Sequence, residues 1–542
     1  MMRAVIVILF SCLVNSSFQR STPQDDHYIA AVVEYEVNRD VEHNRLKYIE
    51  LIAEAKQQNA DIVVFPELTL TNSSVSFSAP LYGLLKEFPI PALHPDLYDE
   101  LLVSMSEAAR QYEIYLLFNG QELLDCTNNN AGEECPEAKE YLFNTNVVID
   151  RTGAVIDRYR KINLFGEFTR TPALHPDLGL FHTDFGVTFG HFICFDLMFQ
   201  VPAIQVAQKH QLSDVIFSTM WFSEMPYLTA VQIQESYAYA MNVNFLAAGA
   251  NRPEVGSAGS GIYSGKAGAL ISTMPGVSTT RLLVAKVPKV PGLVTEPVPG
   301  PIYDNPSDHD GLRLITDPSL TAHVSRLLID GAQEFVLVDK DVSCTFRVKL
   351  THASGAQQYK YRAAAFSGVR SFSGVETGGS RVCSIVACIG ETMDTCGRRF
   401  DTYVQNATAV FEEVAILAAF PTSIVEAALD ADDSAVFPVA LKSSIMPLEP
   451  DAYSYDVITE GRLTYFNFTL NDFNEELYSF AVWSRVFATD GQEADPPIGE
   501  TMTEGPGTTQ AVTESVQTTT PDAAHYHLLS GVLLVLSLVI SL

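Results

Sequence analysis

Between residues 27 and 250, apolar runs of strand length alternate with stretches whose apolar positions recur every three or four residues. "HYIAAVVEY", "DIVVFPE", "IYLLFNG", "FGVTFGHFICF", "DVIFSTM" and "NFLAAGA" read as strands. Several are apolar almost throughout, the mark of strands covered on both faces. Between them, Leu46, Ile49, Ile52 and Ala53 fall at helical spacing, as do Leu97, Leu101, Leu102, Met105 and Ala109. "VPAIQVAQKH" and "LTAVQIQESYAYAMNV" predict two more helices, and "NTNVVIDRTGAVIDRYRK" predicts a hairpin joined at Arg-Thr-Gly. This alternation predicts an α/β sheet covered by helices, with polar groups presented at strand ends. Beyond residue 320 the pattern becomes polar–apolar alternation, as in "EFVLVDKDVSCTFRVKL" and "RLTYFNFTL", which predicts a second, smaller β-rich domain. The Pro/Gly-rich stretch 291–311 reads as the connector.

Both chain ends carry processing signals. Residues 1–17 have one Arg, an apolar run and small polar residues, the layout of a signal peptide cleaved near Ser16 or Ser17. The other end, "HLLSGVLLVLSLVISL", is apolar to the last residue with no Lys or Arg after it. Small residues upstream suit a GPI attachment at Asp522 with 523–542 removed; a membrane helix is the alternative. Residues 501–521 are Thr-rich with Pro and lack large apolar groups, which predicts an O-glycosylated stalk over 496–522. The expected location is the extracellular face of the plasma membrane. There, Asn72, Asn406 and Asn467 begin glycosylation sequons, whereas Asn305 is followed by proline.

Composition narrows the partners. The chain has 542 residues, 47% hydrophobic and only 18% charged, enough for two sizeable cores. Its 34 basic and 65 acidic residues give a formal charge of -31, which excludes nucleic acid and anionic headgroups as natural partners. A small molecule is the expected ligand, and the chain is expected to act as a monomer.

Of the eight cysteines, Cys12 leaves with the signal peptide. The odd remainder leaves one thiol unpaired in an oxidising compartment. Cys126 and Cys135 bracket a polar loop and can pair locally. Cys344, Cys383, Cys388 and Cys396 supply two more bridges of open connectivity. Cys194, in the apolar run "GHFICFDLMF", is the odd thiol: inert filler or nucleophile.

Two further strand ends carry groups that an apolar strand should avoid, Glu67 closing "VVFPE" and Lys161 closing "VIDRYRK". Singly, each reads as a solvated strand end. Together with Cys194 they are a base, a cation and a nucleophile: a neighbouring cation favours the thiolate and a carboxylate can take its proton. His191 lies three residues before Cys194, so a continuous strand points the two side chains to opposite faces. "GSGIYSGKAG" lacks the spacing of a phosphate loop and reads as a loop near the site. No His/Cys group has zinc spacing, so neither metal nor cofactor is expected. Trp221, just past "DVIFSTM", is either core or substrate lining.

"FPELTL", "YRKINLFGE" and "FICFDLMF", in this order, resemble the Glu-Lys-Cys amidases of the nitrilase superfamily. "NLFGE", "FDLMF", "STMWF", "MNVNFLAAGANRP" and "GSGIYSG" are similar to its vanin/biotinidase branch. So, in the C-terminal half, are "AAAFSGV" and the cluster ending "DTCG". The resemblance implies a four-layer αββα nitrilase-type domain over 28–300 and a β-rich vanin-type base domain over 312–495. It implies Glu67 as general base, Lys161 as stabiliser of the tetrahedral intermediate, Cys194 as nucleophile and Glu167 as a lysine-positioning carboxylate. The backbone N–H of Phe195 would join Lys161 at the oxyanion. Known members hydrolyse pantetheine or biotinyl-lysine. Membrane-anchored relatives favour pantetheine here, with biotin amides as the alternative and a silent adhesion scaffold as a reading of another class.

Overall fold

The computed structural model describes residues 20–125, 139–175 and 178–498; the predicted signal peptide, the stalk beyond residue 498, Asp522 and the Cys126–Cys135 loop lie outside the described residues. Strand β1 (His27–Glu36) explains why its sequence is apolar at every step. Tyr28, Ala30 and Val32 face a core between two sheets, while Ala31, Val33 and Tyr35 face a layer of helices. Beside β1 lie β2 (Ile62–Val64) and β3 (Tyr115–Asp125), all parallel. A meander of β4 (Glu140–Ile149) and β5 (Val155–Arg160) then continues the first sheet. In the second sheet β6 (Gly179–His182) pairs antiparallel with β7 (Thr188–Ile193), while β7, β8 (Asp214–Thr219) and Asn244–Asn251 run parallel. The sheets meet where Tyr35 and Glu36 pair with Ala250 and Asn251. Helices Val41–Gln57 and Glu100–Tyr112 cover the first sheet and Ala230–Met241 the second, giving the four αββα layers.

Some local expectations shift. In Val41–Gln57 the buried stripe is Tyr48, Leu51, Ile52 and Ala55, and Leu46 is 53% exposed. Tyr48 takes the inward place because its ring packs inside while its hydroxyl bonds Thr69 Oγ1 at 2.6 Å. Leu97 precedes the helix that starts at Glu100 and is exposed. Over "VPAIQVAQKH" Pro202 keeps Val201 extended, and the helix that follows is a wide turn through Ile204 continued by an α-helical turn over Gln205–Gln208. "GSGIYSGKAG" is not a loop at the site: Ser260–Ser264 is a buried strand paired on both sides. The connector is stitched down too, since Gly300 and Pro301 pair with Ile271 and Ser272.

The C-terminal region is a sandwich of two five-stranded antiparallel sheets. Phe346, Val348, Phe468 and Phe480 lie in its core. The open connectivity resolves as Cys344–Cys383, which joins the two sheets across that core, and Cys388–Cys396, which closes a short turn. One sheet turns its outer face to helix Ala230–Met241: Phe437 and Trp483 share an apolar cluster with Phe192 and Tyr237. Ser236 Oγ donates to the Pro438 carbonyl at 2.8 Å.

Candidate active site

β2, β5, β7 and β8 end at one edge of the paired sheets, and each delivers a polar or reactive group there. Pro66 stops the β2 ladder, and Glu67 follows. Lys161 is the first residue past β5, Cys194 the first past β7, and Met220 and Trp221 the first past β8. The chain turns sharply at Cys194, whose φ is +47, into a single turn over Cys194–Met198. Such a backbone costs a non-glycine residue about 1–3 kcal/mol and needs support. Asp196 supplies it: one carboxylate oxygen accepts from Ile193 N–H at 3.2 Å and Tyr159 O–H at 2.7 Å. The other accepts from Asn163 N–H and Nδ2, both at 2.9 Å. Burial still pushes the Asp196 carboxyl up to about 6.

Glu67, Lys161, Glu167 and Cys194 come together, all buried. Lys161 Nζ donates to Glu67 Oε1 at 2.7 Å and to Glu167 Oε1 at 2.5 Å. Met220 N–H donates to Glu67 Oε2 at 2.8 Å, and the Met220 carbonyl lies 3.6 Å from Cys194 Sγ, so one backbone residue separates the thiol from the carboxylate. Asn144 Nδ2 donates to Glu67 Oε1 at 2.7 Å and to Glu167 Oε2 at 2.9 Å. Arg170 Nε stands 3.8 Å from Glu167 Oε2.

Burial and the Glu67 charge work against the thiolate that a neighbouring cation alone would favour. Burial pushes the Cys194 thiol well up and the Glu67 charge pushes it further; Lys161 offsets this only in part. Burial disfavours the ammonium, but Glu167 and then Glu67 outweigh it and hold Lys161 well above its ordinary value. Burial likewise works against the Glu167 carboxylate, but Lys161 and Arg170 prevail and hold it low. Two carboxylates and two cations already balance, so a thiolate would add an uncompensated charge. A proton passed from Sγ to Glu67 leaves that balance unchanged. A neutral thiol able to give its proton to Glu67 fits that balance better than a resting thiolate.

Two clefts meet at Cys194. One, about 350 Å³ with its open mouth, is lined by Phe165, Phe195, Trp221, Phe222, Leu228 and Phe372, with Glu224 and Ser373 at its wall. The other holds the charged group: Glu67, Lys161, Glu167 and Arg170, with Phe165 and Phe222 shared. Trp221 is thus both buried and on the cleft, its Nε1–H tied to the Leu228 carbonyl at 2.9 Å. Phe372 and Ser373 come from the C-terminal sandwich. Ser373 N–H and Oγ–H donate to Glu224 at 2.7 and 2.6 Å, and the Arg370 guanidinium bonds Glu224 and lies 3.2 Å from Asp317. From the same sandwich, Arg485 Nε donates to the Met198 carbonyl at 2.8 Å, at the end of the Cys194 turn.

His191 faces away, as its spacing implies, with Nε2 at 2.8 Å from Asp157. Asn406 is exposed, and Asn467 lies between the inward-facing Phe466 and Phe468. Sequence reasoning missed Asn144, Asp196, Glu224 and Phe372. The signal for Asn144 was present: in "LFNTNVV" a polar amide interrupts an apolar strand. Phe372 had none, because nothing local joins residue 372 to residue 194.

Residues 29–263 match the carbon-nitrogen hydrolase family, and residues 312–490 match the vanin C-terminal domain. The chain is 32% identical over 490 residues to vanin-like protein 1 of Drosophila melanogaster, covering 83% of each. It is 27% identical to biotinidase of Bos taurus, over 84% of this chain and 94% of that protein. Pantetheinase of Bos taurus is 25% identical, over 90% of this chain and 93% of that one.

Proposed function

The chain belongs to the vanin-like carbon-nitrogen hydrolases and is an amide-cleaving hydrolase; from that premise we propose that it cleaves pantetheine to pantothenate and cysteamine through a thioester on Cys194. The observation that carries this is one buried thiol where an apolar cleft meets a Glu–Lys–Glu cluster. Sγ attacks the amide carbonyl carbon while its proton passes to Glu67. The developing oxyanion is met by the Lys161 ammonium and the Phe195 N–H, donors that need no rearrangement at that moment. As the C–N bond breaks, the proton on Glu67 goes to the departing amine. Water then gives a proton to Glu67 and attacks the thioester; the C–S bond breaks as Glu67 returns that proton to Sγ, and the carboxylic acid leaves and loses its proton to solvent. Glu167 keeps Lys161 charged through both halves.

The relatives named pantetheinase support this substrate, and those named biotinidase support a biotin amide as the second reading. We propose further that residues 28–300 carry the chemistry and 312–495 form the base domain. The chain acts as a monomer on the outer membrane face, GPI-anchored near Asp522 and glycosylated at Asn72, Asn406 and Asn467. Hydrolysis of pantetheine and of biotinyl-lysine, measured side by side with a Cys194→Ala control, tests the reading. Faster turnover of pantetheine supports it, and preference for biotinyl-lysine replaces the substrate. Inactivity on both leaves a silent scaffold. Release of the protein from cells by a phosphatidylinositol-specific phospholipase tests the anchor.

A further inference from the structure

Three strand asparagines, Asn119 on β3 and Asn144 and Asn146 on β4, are fully buried in the first sheet. Burying a carboxamide is costly unless its bonds are made, so each needs partners. Asn119 Oδ1 accepts from the Leu68 N–H at 2.8 Å. A backbone N–H can only donate, so this bond fixes which end of the Asn119 amide is oxygen. Asn119 Nδ2 must then be the donor to Asn144 Oδ1 at 2.9 Å and to Asn146 Oδ1 at 3.0 Å. That in turn aims Asn144 Nδ2 outward, onto Glu67 and Glu167. It also aims Asn146 Nδ2 at His191 Nδ1, 3.3 Å away, which leaves the His191 proton on Nε2 facing Asp157. The backbone carbonyl of Asn144 accepts from the Lys161 N–H at 2.9 Å. One residue therefore touches Lys161 and both carboxylates that flank its ammonium, and its orientation is set from the residue next to Glu67.

We propose that Asn144 is a positioning residue for the reaction: locked by Asn119, its two N–H bonds hold the Glu67 and Glu167 carboxylates apart and aimed, so that Glu67 Oε2 is left for the thiol proton. The inference rests on the thioester reading above. It follows from the division of labour at Glu67. Lys161 and Asn144 occupy Oε1, and Met220 N–H and the proton in transit share Oε2. Without the amide, Glu67 is free to rotate, and two carboxylates share one ammonium with no neutral spacer. Donors to an ionised carboxylate favour its charged form, so their loss also makes the cluster easier to protonate.

The test compares Asn144→Ser, which deletes both donors, with Asn144→Asp, which keeps the shape and the Asn119 bond but faces the carboxylates with an acceptor. Active sites are counted by alkylation of Cys194. Per intact site, kcat of Asn144→Ser on the amide that wild type hydrolyses should fall about 10–100-fold with KM little changed, the pattern of an interaction used in the transition state. Asn144→Asp should be slower still. The acid limb of kcat/KM, and that of Cys194 alkylation by iodoacetamide, should move to higher pH in Asn144→Ser. The alkylation arm needs no turnover, so wild-type inactivity on both amides would defeat the amidase reading while leaving the positioning role measurable. A normal kcat per intact site in Asn144→Asp would overturn the role, as would acid limbs that stay put in Asn144→Ser while activity tracks the folded fraction.

Discussion

Lys161→Met removes a charge while keeping the length and most of the volume of the side chain, so packing is little disturbed. What it exposes is the cost of the two carboxylates, 2.7 and 2.5 Å from the lost ammonium and both buried. Removing one partner of a buried ion pair costs about 3–5 kcal/mol. The sign with pH follows from Glu167. In wild type its folded value is depressed, so its contribution to stability is present above the unfolded carboxylate value and is lost as pH falls through the folded one. In the variant, burial and the Glu67 charge are opposed by Arg170 without Lys161, and the folded value should move above the unfolded one. Stability should then fall as pH rises past roughly 4.3, at about 1.4 kcal/mol per unit for one retained proton. The deficit against wild type should therefore be large at pH 8 and smaller, by about 1–3 kcal/mol, at pH 5. Urea unfolding of wild type, Lys161→Met and Lys161→Met/Glu167→Gln at both pH values reads this directly. The double variant should recover most of the loss. The chemical step should slow about 10²–10³-fold in the single variant, the usual loss for one oxyanion donor. Equal urea midpoints for wild type and Lys161→Met at pH 8, or a deficit that does not change with pH, would refute the buried Glu–Lys–Glu arrangement.

Cys194→Ala should abolish turnover and Cys194→Ser nearly so. Adding Glu67→Gln to Cys194→Ser should cost far less than the product of the single losses, because the groups act as one unit; steady-state rates decide. Phe372→Ala should raise KM by widening the apolar cleft and cost about 3–5 kcal/mol as a large core truncation, measured by kinetics and urea midpoint together. Arg370→Ala strands Glu224 and Asp317 and should be at least as destabilising at neutral pH, with partial relief in Arg370→Ala/Glu224→Gln. Replacing Cys344 and Cys383 together should cost about 4 kcal/mol, from the loop-entropy estimate for their sequence separation of 39. Mapping of a non-reduced digest should show Cys344–Cys383 and Cys388–Cys396, with Cys194 as a free thiol.

The parts of the site legible in the sequence are those that break a local rule. A charge at the end of an apolar run, as at Glu67 and Lys161, and an unpaired thiol in an oxidising compartment, as at Cys194, each contradict their own surroundings. The αββα layers were legible because β1 and β2 are apolar on both faces. Less visible was how little water reaches Lys161: a hairpin end is normally solvated, and only the fold brings Glu67 and Glu167 onto it. The surroundings of the thiol were hidden for the same reason. One cation beside a thiol lowers its value, but a cation already shared by two carboxylates has little to spare. Helix stripes went astray where an amphipathic residue took an inward place, as Tyr48 does.

Because Phe372 and Ser373 wall one side of a cleft otherwise lined by the domain that holds Glu67, Lys161 and Cys194, part of the cleft's shape is written in a separate stretch of the gene from those three. Drift in the tip around 370–374 can retune which amide fits without touching a single reacting group. The dependence is not symmetrical, however. Arg485 grips the turn that carries the thiol, and helix Ala230–Met241 is roofed by Phe437 and Trp483. A chain cut before residue 312 would inherit the chemistry on paper and an open, sticky flank in practice. Recombination between relatives should accordingly succeed when the two halves travel together, or when the exchanged piece is no larger than that tip.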